Sequence, residues 1–133
     1  MANLFSSEWM QAFRAAWNAE PELRGALEKI GFNSVIGYGV PGEANPRGVM
    51  VIENGKCAAS GPYEGQALNW DLRAGEDTWN KWLASPPGML GLGAAYTTGK
   101  IKFQVGDYAA MIKDPRMAGP FIKSFQVMSK VPR

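Results

Sequence analysis

Hydrophobic positions recur at helical spacing near the start of the chain, where Trp9, Phe13, Ala16 and Trp17 share one face. Ser6 or Ser7 can cap that helix, with Glu8 in its positive first turn. Pro21 suits the first turn of a second helix, in which Leu23, Leu27 and Ile30 repeat before Gly31 stops it. The period then shortens. Residues 35–40 read as a strand despite Gly37 and Gly39, and 41–48 carries enough Pro, Gly and Asn to be an exposed loop. Segments 49–53 and 56–60 flank Asn54-Gly55, whose residues tolerate the positive φ angles of a two-residue hairpin turn. Leu68, Trp70 and Leu72 alternate with Asn69, Asp71 and Arg73, which predicts a strand with one apolar and one solvated face and Trp70 pointing inward.

A helix carrying Trp79, Trp82 and Leu83 follows, capped by Asp77 or Thr78 and ended by Pro86-Pro87. Residues 88–96, apolar throughout but poor in side chains that enforce one packing, predict a loosely packed helix that either packs closely through its small residues or forms a wall or gate. Next comes the clearest junction in the chain. Ile101, Phe103 and Val105 alternate with Lys100, Lys102 and Gln104 as a half-buried strand. Gly106 then permits a sharp turn, and Asp107 stands at the N-cap of a helix over 108–113. Asp114-Pro115 breaks that helix, and 117–130 forms the last one, with Phe121, Phe125 and Met128 aligned and Pro120 in its first turn.

At 133 residues the chain is expected to be one domain, burying roughly two-thirds of its unfolded surface. Its 14 basic and 12 acidic side chains leave a formal charge of +2 with no long run of either sign, so the electrostatic footprint of a nucleic-acid binder is missing. No segment approaches the ~18 to 20 apolar residues of a membrane span, and no basic, apolar leader opens the chain. A single cysteine, Cys57, fits a reducing compartment, and cytoplasm is the expected location. Histidine is absent, which removes the usual general base and the commonest neutral metal ligand. Seven Met, 5 Trp, 6 Phe and 16 Gly suit either a Met-rich core or an adaptable cavity wall.

Catalytic patterns fail on spacing. Gly93 and Gly99-Lys100 are separated by one residue too many for a phosphate-binding loop, and Ile101 stands where Ser or Thr is needed. Gly91-Leu-Gly93 opens like a dinucleotide fingerprint, but Tyr96 occupies the third glycine position. Asp71, Glu76 and Asp77 read as solvent contact and capping groups before they read as an acid–base pair. Cys57, without histidine, reads as a small apolar filler.

The run Gly99-Lys-Ile-Lys-Phe-Gln-Val-Gly106-Asp107 is preceded by parts in a distinctive order: a Trp-rich helix ending Asn18-Ala19-Glu20-Pro21, the 49–60 hairpin, strand 68–72 and the Trp79/Trp82 helix. Over nearly the whole chain this resembles the sterol carrier protein 2 family in its stand-alone, bacterial type. The resemblance implies an α+β domain over 1–133, a single five-stranded sheet with helices covering one face and an apolar cavity between them. It implies non-catalytic binding and transfer of a fatty acyl chain, fatty acyl-CoA, sterol or phospholipid, with no cofactor and no metal. The implied partner is a lipid or other apolar small molecule, not nucleic acid; transient membrane-surface contact and a homodimer are both compatible with it. The cavity walls are then expected from the inward faces: Phe13, Trp17, Leu68, Trp70, Trp82, Met89, Leu92, Tyr96, Ile101, Phe103, Phe121, Phe125 and Met128. Competing readings are a structural module for a protein partner, an accessory that presents lipid to a separate enzyme and, least favoured without histidine, a hydrolase. Against the eukaryotic carriers, the chain ends without a peroxisomal address, and the 88–96 segment leaves the cargo's size open.

Overall fold

The computed structural model describes residues 4–131. Helix α1 (Ser7–Asn18) is capped by Ser6, whose hydroxyl accepts from the Trp9 N–H at 3.2 Å. Helix α2 (Pro21–Lys29) opens on its proline and ends at Gly31, whose φ of 60° a glycine adopts without strain. The strands are β1 (Ser34–Gly39), β2 (Gly48–Glu53), β3 (Lys56–Pro62), β4 (Trp70–Ala74) and β5 (Ile101–Val105). Helices α3 (Glu76–Ala84) and α4 (Met89–Thr97) connect β4 to β5, and α5 (Tyr108–Lys113) and α6 (Pro115–Met128) close the fold. The protein is α+β, built on one five-stranded mixed sheet in the order β3-β2-β1-β4-β5.

Asn54 and Gly55 turn the β2–β3 hairpin with φ of 52° and 81°, the positive pair that a tight turn demands. The chain then crosses back, so that β4 lies parallel to β1 with Ile36 opposite Trp70 and Tyr38 opposite Leu72, while β5 returns antiparallel along β4. Ile36, Tyr38, Met50, Ile52, Leu72 and Ile101 are buried with Trp9, Phe13, Trp17 and Phe125 of the helices in one core.

Over β1 and β4 the other face of the sheet is covered too, by loops. A Cβ at Gly37 would meet Pro46 at 3.0 Å and Leu68 at 3.3 Å, and one at Gly39 would meet Pro46 at 3.1 Å. The two glycines therefore let the 41–47 loop lie flat on β1. Asp71 and Arg73 point into this layer and are 5% and 1% exposed, which corrects the expectation that this side of β4 is solvated.

Several boundaries also move. Strand β4 begins at Trp70, two residues later than alternation suggested; Asn69 still bonds Val35, its N–H donating to the Val35 carbonyl at 2.9 Å and its Oδ1 accepting from the Val35 N–H at 2.8 Å. Helix α3 is capped by Gly75 without a side-chain bond, and Asp77 lies within its first turn. In β5 the alternation breaks where Asp71 pairs with Val105 but Leu72 pairs with Phe103, leaving Gln104 as a bulge; Val105 is thereby 40% exposed instead of inward. Asp107 caps α5, accepting from the Ala110 N–H at 3.0 Å. Asp114 both ends α5 and caps α6, accepting from the Arg116 N–H at 3.0 Å. Since α6 starts at Pro115, Pro120 falls in its second turn, where it removes the hydrogen bond that residue 120 would give Arg116.

Candidate functional site

Because β1 and β4 are parallel neighbours in register, Ile36, Tyr38, Trp70 and Leu72 form one contiguous apolar floor on the helical side of the sheet. Above it stand Trp17 from α1, Leu27 from α2, Phe32 from the following turn, Met111 from α5, and Met117, Pro120, Phe121 and Ser124 from α6. Between floor and roof lies an apolar cavity of about 40 Å³. Its rim is made by the half-buried Phe32, Trp70, Met117 and Phe121, while the other lining residues are buried.

The polar atoms of the lining are largely committed. The Trp17 indole N–H donates to the Gly55 carbonyl at 2.9 Å, and the Ser124 hydroxyl donates to the Phe121 carbonyl at 2.5 Å. Burial pushes the Tyr38 phenol far above the ordinary tyrosine range, so it is a neutral group at any physiological pH. From the rim a row of rings runs toward α4. Phe121 lies 5.9 Å from Phe103, Phe103 lies 5.2 Å from Tyr108, and Tyr108 stacks on Tyr96 at 4.3 Å.

Of the residues expected to line a cavity, Trp17, Trp70 and Phe121 do so. Phe13, Trp82, Leu92, Ile101, Phe125 and Met128 are buried in the core, where Trp82 meets Trp79 and Phe125 edge-on at 5.6 and 5.5 Å. Phe103 stands beside the rim, edge-on to Trp70 at 6.1 Å. Met89 and Tyr96 are 44% and 42% exposed. Leu68 packs against Gly37 on the opposite face of the sheet, outside the strand. The lining residues absent from the expected set include Leu72, Leu27 and Tyr38. Leu27 and Leu72 belong to faces whose periodicity was plain; what one-dimensional spacing lacked was the parallel β1–β4 pairing that brings them together.

Of the four groups weighed for catalysis, Asp71, Glu76 and Cys57 are paired or buried. Both Asp71 oxygens accept from Arg73, at 2.6 and 3.0 Å, and Arg73 also donates to the carbonyls of Val40 at 3.2 Å and Glu43 at 2.8 Å. Glu76 instead pairs with Arg47 at 2.7 Å, and Asp77 is exposed. Cys57 is 2% exposed and burial pushes its thiol up to about 11, which leaves almost no thiolate at neutral pH. Among the described residues no three His, Cys, Asp or Glu side chains are grouped so as to hold a metal ion, and no helix is long and apolar enough to cross a membrane.

An antiparallel hairpin, a parallel crossover strand, an edge strand after two helices and an apolar cavity under the last helix describe a known arrangement, and superposition on solved structures decides it. The fold is that of sterol carrier protein 2. A crystal structure of sterol carrier protein 2 superposes with a TM-score of 0.77 at 21% identity, over 98% of this chain and 100% of that one. A conserved hypothetical protein from Thermus thermophilus, described as possibly a sterol carrier protein, gives 0.61 at 22% identity over 97% of this chain and 87% of its own. A UbiJ-SCP2 ubiquinone synthesis protein gives 0.61 at 13% identity, covering 98% and 95%. No protein-family model and no curated protein matches the chain. The likeness to sterol carrier protein 2 thus lies in the path of the backbone, and the chemistry of the site rests on this chain's own residues.

Proposed function

We propose that this chain binds and transfers a lipid, as a fatty acyl chain, fatty acyl-CoA, sterol or phospholipid, in the cavity between β1/β4 and α6, without chemistry. The observation that supports the reading is the apolar, nearly donor-free lining of a cavity in a sterol-carrier fold. Each CH₂ moved from water into such a site gains about 0.8 kcal/mol, so a long chain needs no charged anchor.

At about 40 Å³ the space holds only a few water-sized atoms, against the several hundred Å³ that an enclosed lipid needs. Binding therefore displaces part of the roof. The C-terminal half of α6 is fixed, since Phe125, Val127 and Met128 are buried and Lys123 pairs with Glu20 at 3.4 Å and Glu22 at 3.0 Å. Its N-terminal half is the movable wall. Pro120 interrupts the helical ladder there, and Met111 and Met117, flexible side chains that fill irregular space, face the cavity. Trp17, Trp70 and Phe121 are the residues assigned first to ligand contact.

The test is native mass spectrometry of protein purified without detergent, followed by titration of delipidated protein with a long-chain fatty acid and an acyl-CoA. Trp17 and Trp70 line the cavity, so tryptophan emission should change, and Trp70→Phe should remove much of the change. No carried lipid and no response across several lipid classes at micromolar concentration would defeat the reading. The likeness to a UbiJ-SCP2 protein, named for ubiquinone synthesis, favours a second reading, an accessory that presents an apolar substrate to a separate enzyme. A constant protein partner through purification would support it.

A further inference from the structure

Of the polar side-chain groups that line the cavity, the Tyr38 hydroxyl alone is neither paired nor at the rim. Trp17 and Ser124 donate theirs to backbone carbonyls, and the Trp70 indole stands at the half-buried rim, where water can serve it. Tyr38 is 2% exposed, and among the described residues its hydroxyl has no hydrogen-bond partner. Trp9 and Arg24 also carry buried N–H groups without an acceptor, but neither residue lines the cavity. Packing alone asks for phenylalanine at position 38, since a buried hydroxyl left unpaired destabilises a fold.

The ring that carries the hydroxyl is boxed in. Phe5 stacks on it at 5.7 Å, and Phe13 and Trp79 meet it edge-on at 5.7 and 6.3 Å. All three are buried, so the hydroxyl is held at a fixed point of the floor. Tyr38 lies opposite Leu72, two residues, about 7 Å, further along the strands than Trp70 at the rim. No lysine or arginine lines the cavity, and the phenol itself stays neutral. A charged oxygen would be stranded at that depth, whereas a ketone can accept the phenol's hydrogen bond and a hydroxyl can accept or donate one.

We infer that Tyr38 sets the ligand's chemistry by recognising one uncharged oxygen, a hydroxyl or a ketone, carried along an acyl chain. The inference rests on the lipid-carrier reading and narrows its ligand class. A purely apolar cavity rejects such a chain, because the oxygen loses its water and gains nothing in return. Here it gains the phenol, and the phenol gains its missing partner. A plain acyl chain fills the same space but leaves Tyr38 unpaired.

The experiment is titration of the delipidated full chain, as wild type and as Tyr38→Phe, with octadecanoate and with its 12-hydroxy, 12-oxo and 18-hydroxy derivatives, followed by tryptophan emission. The readout is the ratio of oxygenated to plain affinity within each protein, so that a general change in the cavity cancels. In the wild type at least one oxygenated chain should bind as tightly as octadecanoate or more tightly. In Tyr38→Phe that ratio should fall about tenfold or more, because the ligand's oxygen is then buried without a partner. Ligand-free Tyr38→Phe should melt at or above the wild-type temperature, since the hydroxyl it lacks had no partner in the fold. The inference is overturned if the ratio is the same in both proteins, or if ligand-free Tyr38→Phe melts more than about 5 °C lower, which would give the hydroxyl a structural partner. A wild type that binds octadecanoate and rejects every oxygenated chain overturns it too, and leaves the carrier reading standing. Binding of none of the four removes both.

Discussion

Filling the cavity from α2 separates a void from mere loose packing. Leu27 is 3% exposed and lines the cavity, and Leu27→Phe adds about three heavy atoms where the 40 Å³ has room for about three water-sized ones. Burying that added hydrocarbon gains at most about 2 kcal/mol. Enlarging a side chain in a filled core costs about 1–3 kcal/mol, so here the two effects offset and stability should stay within about 1 kcal/mol of wild type. Leu23, on the same helix at 0% exposed and not on the cavity, provides the control: Leu23→Phe finds no space and should lose the full 1–3 kcal/mol or so. Urea unfolding followed by tryptophan emission reads both. Fatty-acid titration should show Leu27→Phe at least about tenfold weaker, while Leu23→Phe, where folded, keeps its affinity. Equal destabilisation of the two variants would mean that the space is not there. A stable Leu27→Phe with unchanged affinity would mean that the ligand sits elsewhere.

Asp107→Ala should cost about 0.5–2 kcal/mol and Asp107→Asn much less, because asparagine also accepts from the Ala110 N–H; full stability with abolished lipid binding in both would overturn the capping role. Asp71→Ala strands the buried Arg73 guanidinium and should cost about 3–5 kcal/mol by urea unfolding, whereas Asp71→Ala with Arg73→Met should recover part of that loss. Cys57 should resist a thiol reagent at neutral pH and react as the protein unfolds. Its thiol is raised from 9.0 to about 11 in the fold, so the stability it contributes is complete below pH 9 and fades as pH rises toward 11; a Cys57→Ala variant should lack that alkaline loss in a pH series of unfolding midpoints.

Much of the fold was legible because local chemistry and burial agree in it. Ser6 before Trp9, Pro21 before Leu23, Asn54-Gly55 between alternating segments and Gly106-Asp107 before Tyr108 each mark a boundary by a backbone need that few residues meet. The failures sit where a neighbour far away in sequence changes what a residue faces. Asp71 and Arg73 alternate with Trp70 and Leu72 as solvated positions should, but the 41–47 loop lies over them, and one ion pair with two carbonyl acceptors makes that burial tolerable. Gly37 and Gly39 were the available sign: two side chains missing from a central strand leave room for a covering loop.

The cavity was less legible than the fold for a related reason. Helical spacing names the inward face of α6 without saying which part of it stands above the β1–β4 pair and which above α3. Phe125 and Met128 share a stripe with Phe121, yet Phe125 fills the core against Trp82 while Phe121 stays at the rim. Pro120, directly before Phe121, stands at the N-terminal end of that stripe and itself lines the cavity. It lies in the second turn only because Asp114 caps the helix at Pro115, two residues before the apolar pattern begins. A capping carboxylate thus sets the register of α6, and the register brings the helix interruption over the cavity.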